Sequence, residues 1–277
     1  ITATGGALRD CVVAGSRAAS GGGVYASGPN TRIGDCHVVG NTGTNGAGGI
    51  YAENRTQITN CLVERNTAAS GPGGIHLGAN SSGEILLLDS EVLNNTSSGS
   101  ADYGGGIRLY CNGSGNQPVI VRNCLVKGNS PNGVSFVTYA YNQAVQNCTI
   151  VSNTGYGVHQ QWWYGTGQVY NAIIYDNTSG SISSGERLIF SNCCAFVADP
   201  SALKGSGNIN GNPAFADSGA GNYRLTKESP CINTGLIQPW MENCTDLDNN
   251  SRIDRFSNRA DMGCYEHHPR GVLYMVR

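Results

Sequence analysis

The chain has 277 residues, 40 of them Gly and 11 Cys, with 17 basic and 19 acidic side chains and a net charge of −2. Charged residues are about half their usual share and Gly about twice its own, which excludes a charge-rich disordered chain and a coiled coil, while Gly without a three-residue period excludes collagen. The near-neutral balance leaves no electrostatic footprint for nucleic acid, no apolar run approaches the roughly 18 residues of a membrane span, and no basic-then-apolar leader opens the chain, so a signal peptide is absent or already removed.

In chain order, one short motif keeps returning. It opens as Asp10-Cys11-Val12-Val13, then Asp35-Cys36-His37-Val38-Val39-Gly40-Asn41, then Asn60-Cys61-Leu62-Val63-Glu64-Arg65-Asn66. A looser copy runs from Asp89 to Asn95, and further copies begin at Asn123-Cys124, Asn147-Cys148, Asn171-Ala172 and Asn192-Cys193. The steps from Cys to Cys, or to its Ser or Ala substitute, are 25, 25, 29, 34, 24, 24 and 21 residues. Inside each copy a Gly-Gly-Val, Gly-Gly-Ile or Gly-Val sequence ends at Val24, Ile50, Ile75, Ile107, Val134 and Val158. Each unit thus holds short β segments separated by Gly, Asn, Ser and Thr, and none shows a helical apolar period.

A unit of this size cannot bury its own apolar face, and stacking solves the problem by putting equivalent positions into columns. The leucine-rich pattern is missing and propeller blades need longer repeats. The expected fold is all-β: a single-stranded right-handed parallel β-helix of eight or more coils, its hand following from the crossover rule. The longer steps place inserted loops near Gly78–Gly83 and Asn112–Gln117. We expect repeats over residues 1–200, and over 201–277 irregular β-rich coils that cap or anchor on the same solenoid.

The columns carry the candidate chemistry. The Cys file (Cys11, Cys36, Cys61, Ser90, Cys124, Cys148, Ala172, Cys193) has small replacements and reads as an inward stack of free thiols, because parallel Cβ vectors suit disulfides poorly. Asn41, Asn66, Asn95, Asn129, Asn153 and Asn177 read as an amide ladder at a turn. The residue after each inward Val or Ile faces outward, giving the column Tyr25, Tyr51, His76, Arg108, Ser135 and His159; Ser27, Glu53, Gly78, Tyr110, Val137 and Gln161 lie two residues further on. Tyr25, Tyr51, Glu53, His76, Arg108 and Tyr110 on one face suit a sugar chain, with rings stacking on pyranose faces. Were the protein an enzyme, Glu53, His76 and Arg108 would be its acid–base set. A solvated sheet face with ordinary cross-strand pairs is the plain alternative. Tyr139, Tyr141, Trp162, Trp163, Tyr164 and Tyr170 form a second aromatic cluster that would bind ligand or seal a loop.

After Cys194 the repeat fades. Gly207-Asn208-Ile209-Asn210-Gly211-Asn212-Pro213-Ala214-Phe215, Ser229-Pro230-Cys231-Ile232-Asn233-Thr234-Gly235, Asp246-Leu247-Asp248-Asn249-Asn250 and Asp261-Met262-Gly263-Cys264-Tyr265-Glu266 follow in that order. This order resembles the C-terminal part of bacterial secreted right-handed β-helix repeat proteins, those called choice-of-anchor Q among them, which carry Gly at the place of Asn249 and Ala at that of Cys264. The resemblance implies export and an extracellular or cell-surface life, and implies no activity. Asp246, Asp248, Asn250 and Asp254 also match positions of a calcium loop, but Ser251 and Ser257 replace its Gly and its bidentate Glu, so the turn reading competes with a weak calcium site. No other cofactor is expected. An odd cysteine count leaves at least one unpaired, and Cys244–Cys264 is the first expectation for any disulfide.

Two function classes follow. One is a non-enzymatic surface adhesin, matrix component or filament subunit that binds glycans; the other is a polysaccharide lyase or glycosidase-like enzyme. Ile1 to Leu8 enter the repeat with no visible cap, so we expect either a cap upstream of residue 1 or another subunit serving as one, in which case association is head to tail with Asn208–Arg277 as the mating surface.

Overall fold

The computed structural model describes residues 1–79, 83–100, 103–111, 117–138, 142–161, 165–183 and 187–268. It is a right-handed parallel β-solenoid. Among the described residues, three recurring strand positions build parallel sheets A, B and C, and a fourth position, present in four coils only, builds sheet D. Sheet A has eight strands, from Thr2–Ala3 to Gly180–Ile182; sheet B has eight, from Ala7–Arg9 to Leu188–Ser191. Sheet C has nine, from Val12–Ala14 to Ile209–Asn210, and the small sheet D has four, from Arg17–Ala18 to Thr96–Ser97.

Each corner has a local cause. The residue joining sheets B and C is Asp or Asn in every coil, and its φ is positive: 54° at Asp35, 52° at Asn60 and 53° at Asn123. Asp and Asn tolerate this left-handed conformation better than other side-chain-bearing residues, so a single residue turns the chain. A second left-handed residue ends sheet C, such as Gly40 at 64° or Gly128 at 65°. The ladder Asn follows it. Its Nδ2 donates to the preceding coil and to the next Asn: Asn41 to Val13 O at 2.8 Å and to Asn66 Oδ1 at 3.0 Å. Its Oδ1 accepts the preceding ladder Asn's backbone N–H, as Asn66 Oδ1 does from Asn41 N at 2.9 Å.

The second Gly of the Gly-Gly pairs meets the neighbouring coil's backbone. A Cβ on Gly106 would lie 2.4 Å from Gly133 O and 3.0 Å from Asn129 Nδ2, so no side chain fits. Inside, Val24, Ile50, Ile75, Ile107, Val134 and Val158 stack in one fully buried row in sheet A. The Cys file is inward as expected: Cys36, Cys61, Cys124 and Cys148 belong to one core. Each thiol donates to the carbonyl two residues back, Cys36 to Gly34 O at 3.0 Å and Cys124 to Arg122 O at 3.1 Å. Ser90, the file's polar member, makes the same bond to Leu88 O at 2.6 Å.

Residues 213–266 lie along the flank of the solenoid, over the outer face of sheet C, rather than across its end. The strands Phe215–Asp217 and Asn222–Leu225 form an antiparallel hairpin there. Tyr223, Cys264 and Tyr265 bury Leu125 and Val151, while Leu225, Cys231 and Met262 bury Ile173 and Cys194. The corner Asn residues hold the segment: Asn171 Nδ2 donates to Leu236 O at 2.8 Å and Asn192 Nδ2 to Thr234 O at 2.9 Å. Burying side chains such as Leu125 and Ile173 stabilises this layer by about 1.5–3 kcal/mol each. Leu203, behind the short 3₁₀ turn Pro200–Ala202, joins the main core near its C-terminal end.

Candidate functional site

The outer face of sheet A brings the expected residues together. The register runs Tyr25↔Tyr51, Tyr51↔His76, His76↔Arg108, Arg108↔Ser135 and Ser135↔His159, with Glu53↔Gly78 and Gly78↔Tyr110 beside it. Tyr25 and Tyr51 stack with centroids 5.4 Å apart, Tyr51 and His76 stack at 4.4 Å, and Tyr110 tilts against His76 at 5.8 Å. The Arg108 guanidinium lies over two rings, 5.0 Å from Tyr103 and 5.1 Å from Tyr110. Tyr103 was missed in the sequence; it enters through the coil with the 34-residue step, just before Gly104-Gly105-Gly106.

This geometry corrects how the face meets a ligand. Both faces of Tyr51 are covered by its neighbours, so it cannot lay a face on a pyranose. The rings present edges and hydroxyls instead. Glu53 gathers two of these: Tyr25 OH donates to its Oε2 at 3.3 Å and Tyr51 OH to its Oε1 at 3.3 Å. Burial and the Glu53 charge push the Tyr51 phenol up to about 12, so it stays a donor at neutral pH. His76 is only 3% exposed, and its Nδ1 is buried without a hydrogen-bond partner. Burial, then Arg108, pulls it down to about 3, which keeps it neutral. It supports the row from within and is not an acid–base group at the surface. Gly78 makes room for it, since a Cβ there would sit 2.8 Å from His76 Nε2.

Other sequence candidates separate. Trp162, Trp163, Tyr139, Tyr141 and Tyr164 lie outside the described residues. Tyr170 is in sheet B, where its hydroxyl bonds to Gln168. The calcium-loop residues do not converge. Asp246 Oδ1 accepts the backbone N–H of Asp248 at 2.9 Å and of Asn250 at 2.7 Å, and its Oδ2 accepts that of Glu266 at 2.6 Å. Asp248 pairs with Arg224, and Asp254 caps Phe256 and Ser257 at 2.9 and 2.6 Å. Asp246 and Asp254 therefore serve turns and Asp248 an ion pair, and among the described residues no group of three or more His, Cys, Asp or Glu is placed to hold a metal ion. The expected Cys244–Cys264 bridge is absent: Cys244 is exposed, and Cys264 is buried with its N–H on Thr149 Oγ1 at 3.1 Å.

A different centre was not anticipated. Arg252 is fully buried under the flank, with Nη2 3.1 Å from Glu266 Oε1 and 3.0 Å from Gly263 O. Glu266 also accepts the Asp261 N–H at 3.0 Å. Burial pushes the Glu266 carboxyl up to about 8, with Arg252 opposing. Nothing in local pattern marks a buried arginine; it reads as a surface residue until the flank closes.

The stacked parallel coils define a β-helical protein, and comparison agrees. The family model described as "right handed beta helix region" matches residues 1–195, and the chain belongs to that family. No curated protein matches it. Among solved structures it is similar to a crystal structure of pectate lyase Pel9A, at a TM-score of 0.51 and 14% identity, covering 89% of this chain and 73% of that one. At that identity the likeness shows the fold alone.

Proposed function

We propose that the protein is an extracellular glycan-binding solenoid, which holds a polysaccharide along the outer face of sheet A, parallel to the stacking axis. The observation that carries this reading is Glu53 shared by two phenols within a row that runs over consecutive coils. Coils repeat every ~4.8 Å, close to the advance of one sugar unit, so hydroxyls along a chain meet equivalent positions in register. Glu53 accepts from sugar hydroxyls with its remaining lone pairs, the Tyr25 and Tyr51 oxygens, whose protons go to Glu53, accept as well, and the Tyr110 hydroxyl and Arg108 donate. The stacking that removes ring faces from the ligand also fixes those hydroxyls before binding, which lowers the ordering cost. Binding is favoured over turnover because general acid–base catalysis needs a second titrating group in reach, and His76 is held neutral beneath the row. The segment expected to mate end to end lies along the flank, and a head-to-tail filament is not part of this reading.

Incubation with a panel of neutral, uronate and sulfated polysaccharides tests the reading, with binding followed by calorimetry and products by absorbance and reducing ends. Saturable binding without products, lost in Glu53→Gln, is the expected result. Unsaturated products would instead select a polysaccharide lyase, the reading favoured by the fold shared with pectate lyase Pel9A. Absence of binding to every member, with the protein folded, would overturn both.

A further inference from the structure

We propose that Cys194 and Cys231 form a disulfide bond that ties the last coils of the solenoid to the C-terminal flank. Cys193 and Cys194 are consecutive in the chain, and alternation at the start of the sheet C strand sends them to opposite sides. Cys193 joins the inner core, whereas Cys194 joins the outer layer with Ile173, Leu225, Cys231 and Met262. Cys231 reaches that layer from the other side, on a flank segment whose position is set by the Met262 N–H bond to Cys231 O at 3.0 Å. Both residues are fully buried in this one cluster as free thiols, with Cys194 Sγ donating to Gly211 O at 3.6 Å.

Direction of approach separates this pair from the others. Cys124 and Cys148 are also buried in one core, but they sit at equivalent places in successive parallel coils, so their Cα–Cβ bonds run side by side. A disulfide needs Cβ atoms roughly 3.5–4.5 Å apart and a torsion of about 90°, which side-by-side vectors at a ~4.8 Å coil spacing meet poorly. Cys194 and Cys231 come from two layers packed face to face, the arrangement that meets it.

The chemistry is thiol–disulfide exchange with a disulfide oxidant, RS–SR, either a small molecule or an oxidoreductase. One cysteine thiolate attacks RS–SR, forming a mixed disulfide and releasing one RS⁻. The second thiolate attacks the protein sulfur of the mixed disulfide and expels the other RS⁻. Two protons pass from the cysteines through solvent to the two RS⁻, and two electrons pass to the oxidant. In the closed layer the Cys194 contact and burial push the Cys231 thiol up, so the exchange precedes or accompanies docking of the flank.

The full chain, refolded from guanidinium in reduced and oxidised glutathione, is denatured with N-ethylmaleimide and weighed intact. The expected count is nine adducts on the eleven cysteines, with proteolysis giving one peptide pair joined through Cys194 and Cys231. Cys231→Ser then takes ten adducts, and reductant lowers the Tm of the wild type but not of this variant. Eleven adducts on folded wild type, or a joined pair of any other cysteines, overturns the proposal. If Cys231→Ser does not fold, the wild-type count alone decides.

Discussion

Replacing Asn95 by Ala tests the load carried by the amide ladder. Asn95 is fully buried in mid-stack and makes four side-chain bonds. Its Oδ1 accepts Asn66 N and Asn66 Nδ2, each at 3.0 Å. Its Nδ2 donates to Val63 O at 2.9 Å and to Asn129 Oδ1 at 3.0 Å. Truncation leaves the Asn66 N–H and one Asn66 amide hydrogen without acceptors, and Val63 O without this donor; Asn129 Oδ1 keeps the Asn95 N–H at 2.9 Å. At about 1–3 kcal/mol for each orphaned buried donor, with a smaller share for the carbonyl, the expected loss is about 3–5 kcal/mol. Asn177, at the ladder's end and 8% exposed, should lose about 1–2 kcal/mol less in Asn177→Ala, because water reaches its partners. Asn95→Asp, which points oxygens at two acceptors, should cost more than Ala. Guanidinium unfolding followed by circular dichroism at matched slope measures all three. A loss within 1 kcal/mol for Asn95→Ala, or equal losses at Asn95 and Asn177, would refute the reasoning.

The flank should respond to pH through Glu266. Its carboxyl titrates near 8 in the folded protein against an ordinary 4.5, so the folded state holds the proton more tightly; the associated stability is full below pH 4.5 and is lost, by a few kcal/mol, as pH rises through 8. Tm should fall between pH 5 and 8.5 and Glu266→Gln should flatten the slope; a slope unchanged in that variant contradicts this. At the site, Tyr51→Ala and Arg108→Ala should each weaken glycan binding by about 1–3 kcal/mol, roughly 5- to 150-fold, and calorimetry showing unchanged affinity in both would remove sheet A as the binding face. Gly106→Ala, which sets a methyl against Gly133 O, should destabilise by about 2–4 kcal/mol, whereas Gly40→Ala, left-handed but with open space around it, should lose only about 1 kcal/mol; equal unfolding midpoints would show that the close approach is not limiting.

Repetition made most of the solenoid legible. A unit repeated along the chain puts like residues at like heights, so the Cys file, the Asn ladder, the inward Val and Ile row and the outward Tyr25–Tyr51–His76–Arg108 column all follow from spacing alone. The Asp or Asn before each Cys was visible too, although its left-handed role is clear only once the corner is seen. What spacing leaves undetermined is everything set by neighbours from elsewhere in the chain. His76 faces outward by alternation, yet Tyr51, Arg108 and Tyr110 cover it, and burial turns a candidate acid–base group into a neutral support. The calcium-like spacing at Asp246 describes one loop, and the backbone N–H of Glu266, twenty residues on, takes up its second oxygen. Leu125, Val151 and Ile173 face outward from sheet C and are buried only because the flank covers them. Which segment covers them could not be read, since the flank has no repeat to set its register. Its position, and with it the buried Arg252 and the meeting of Cys194 with Cys231, comes from long-range packing: a local pattern sets which way a side chain points, and only the closed tertiary structure sets what it points at.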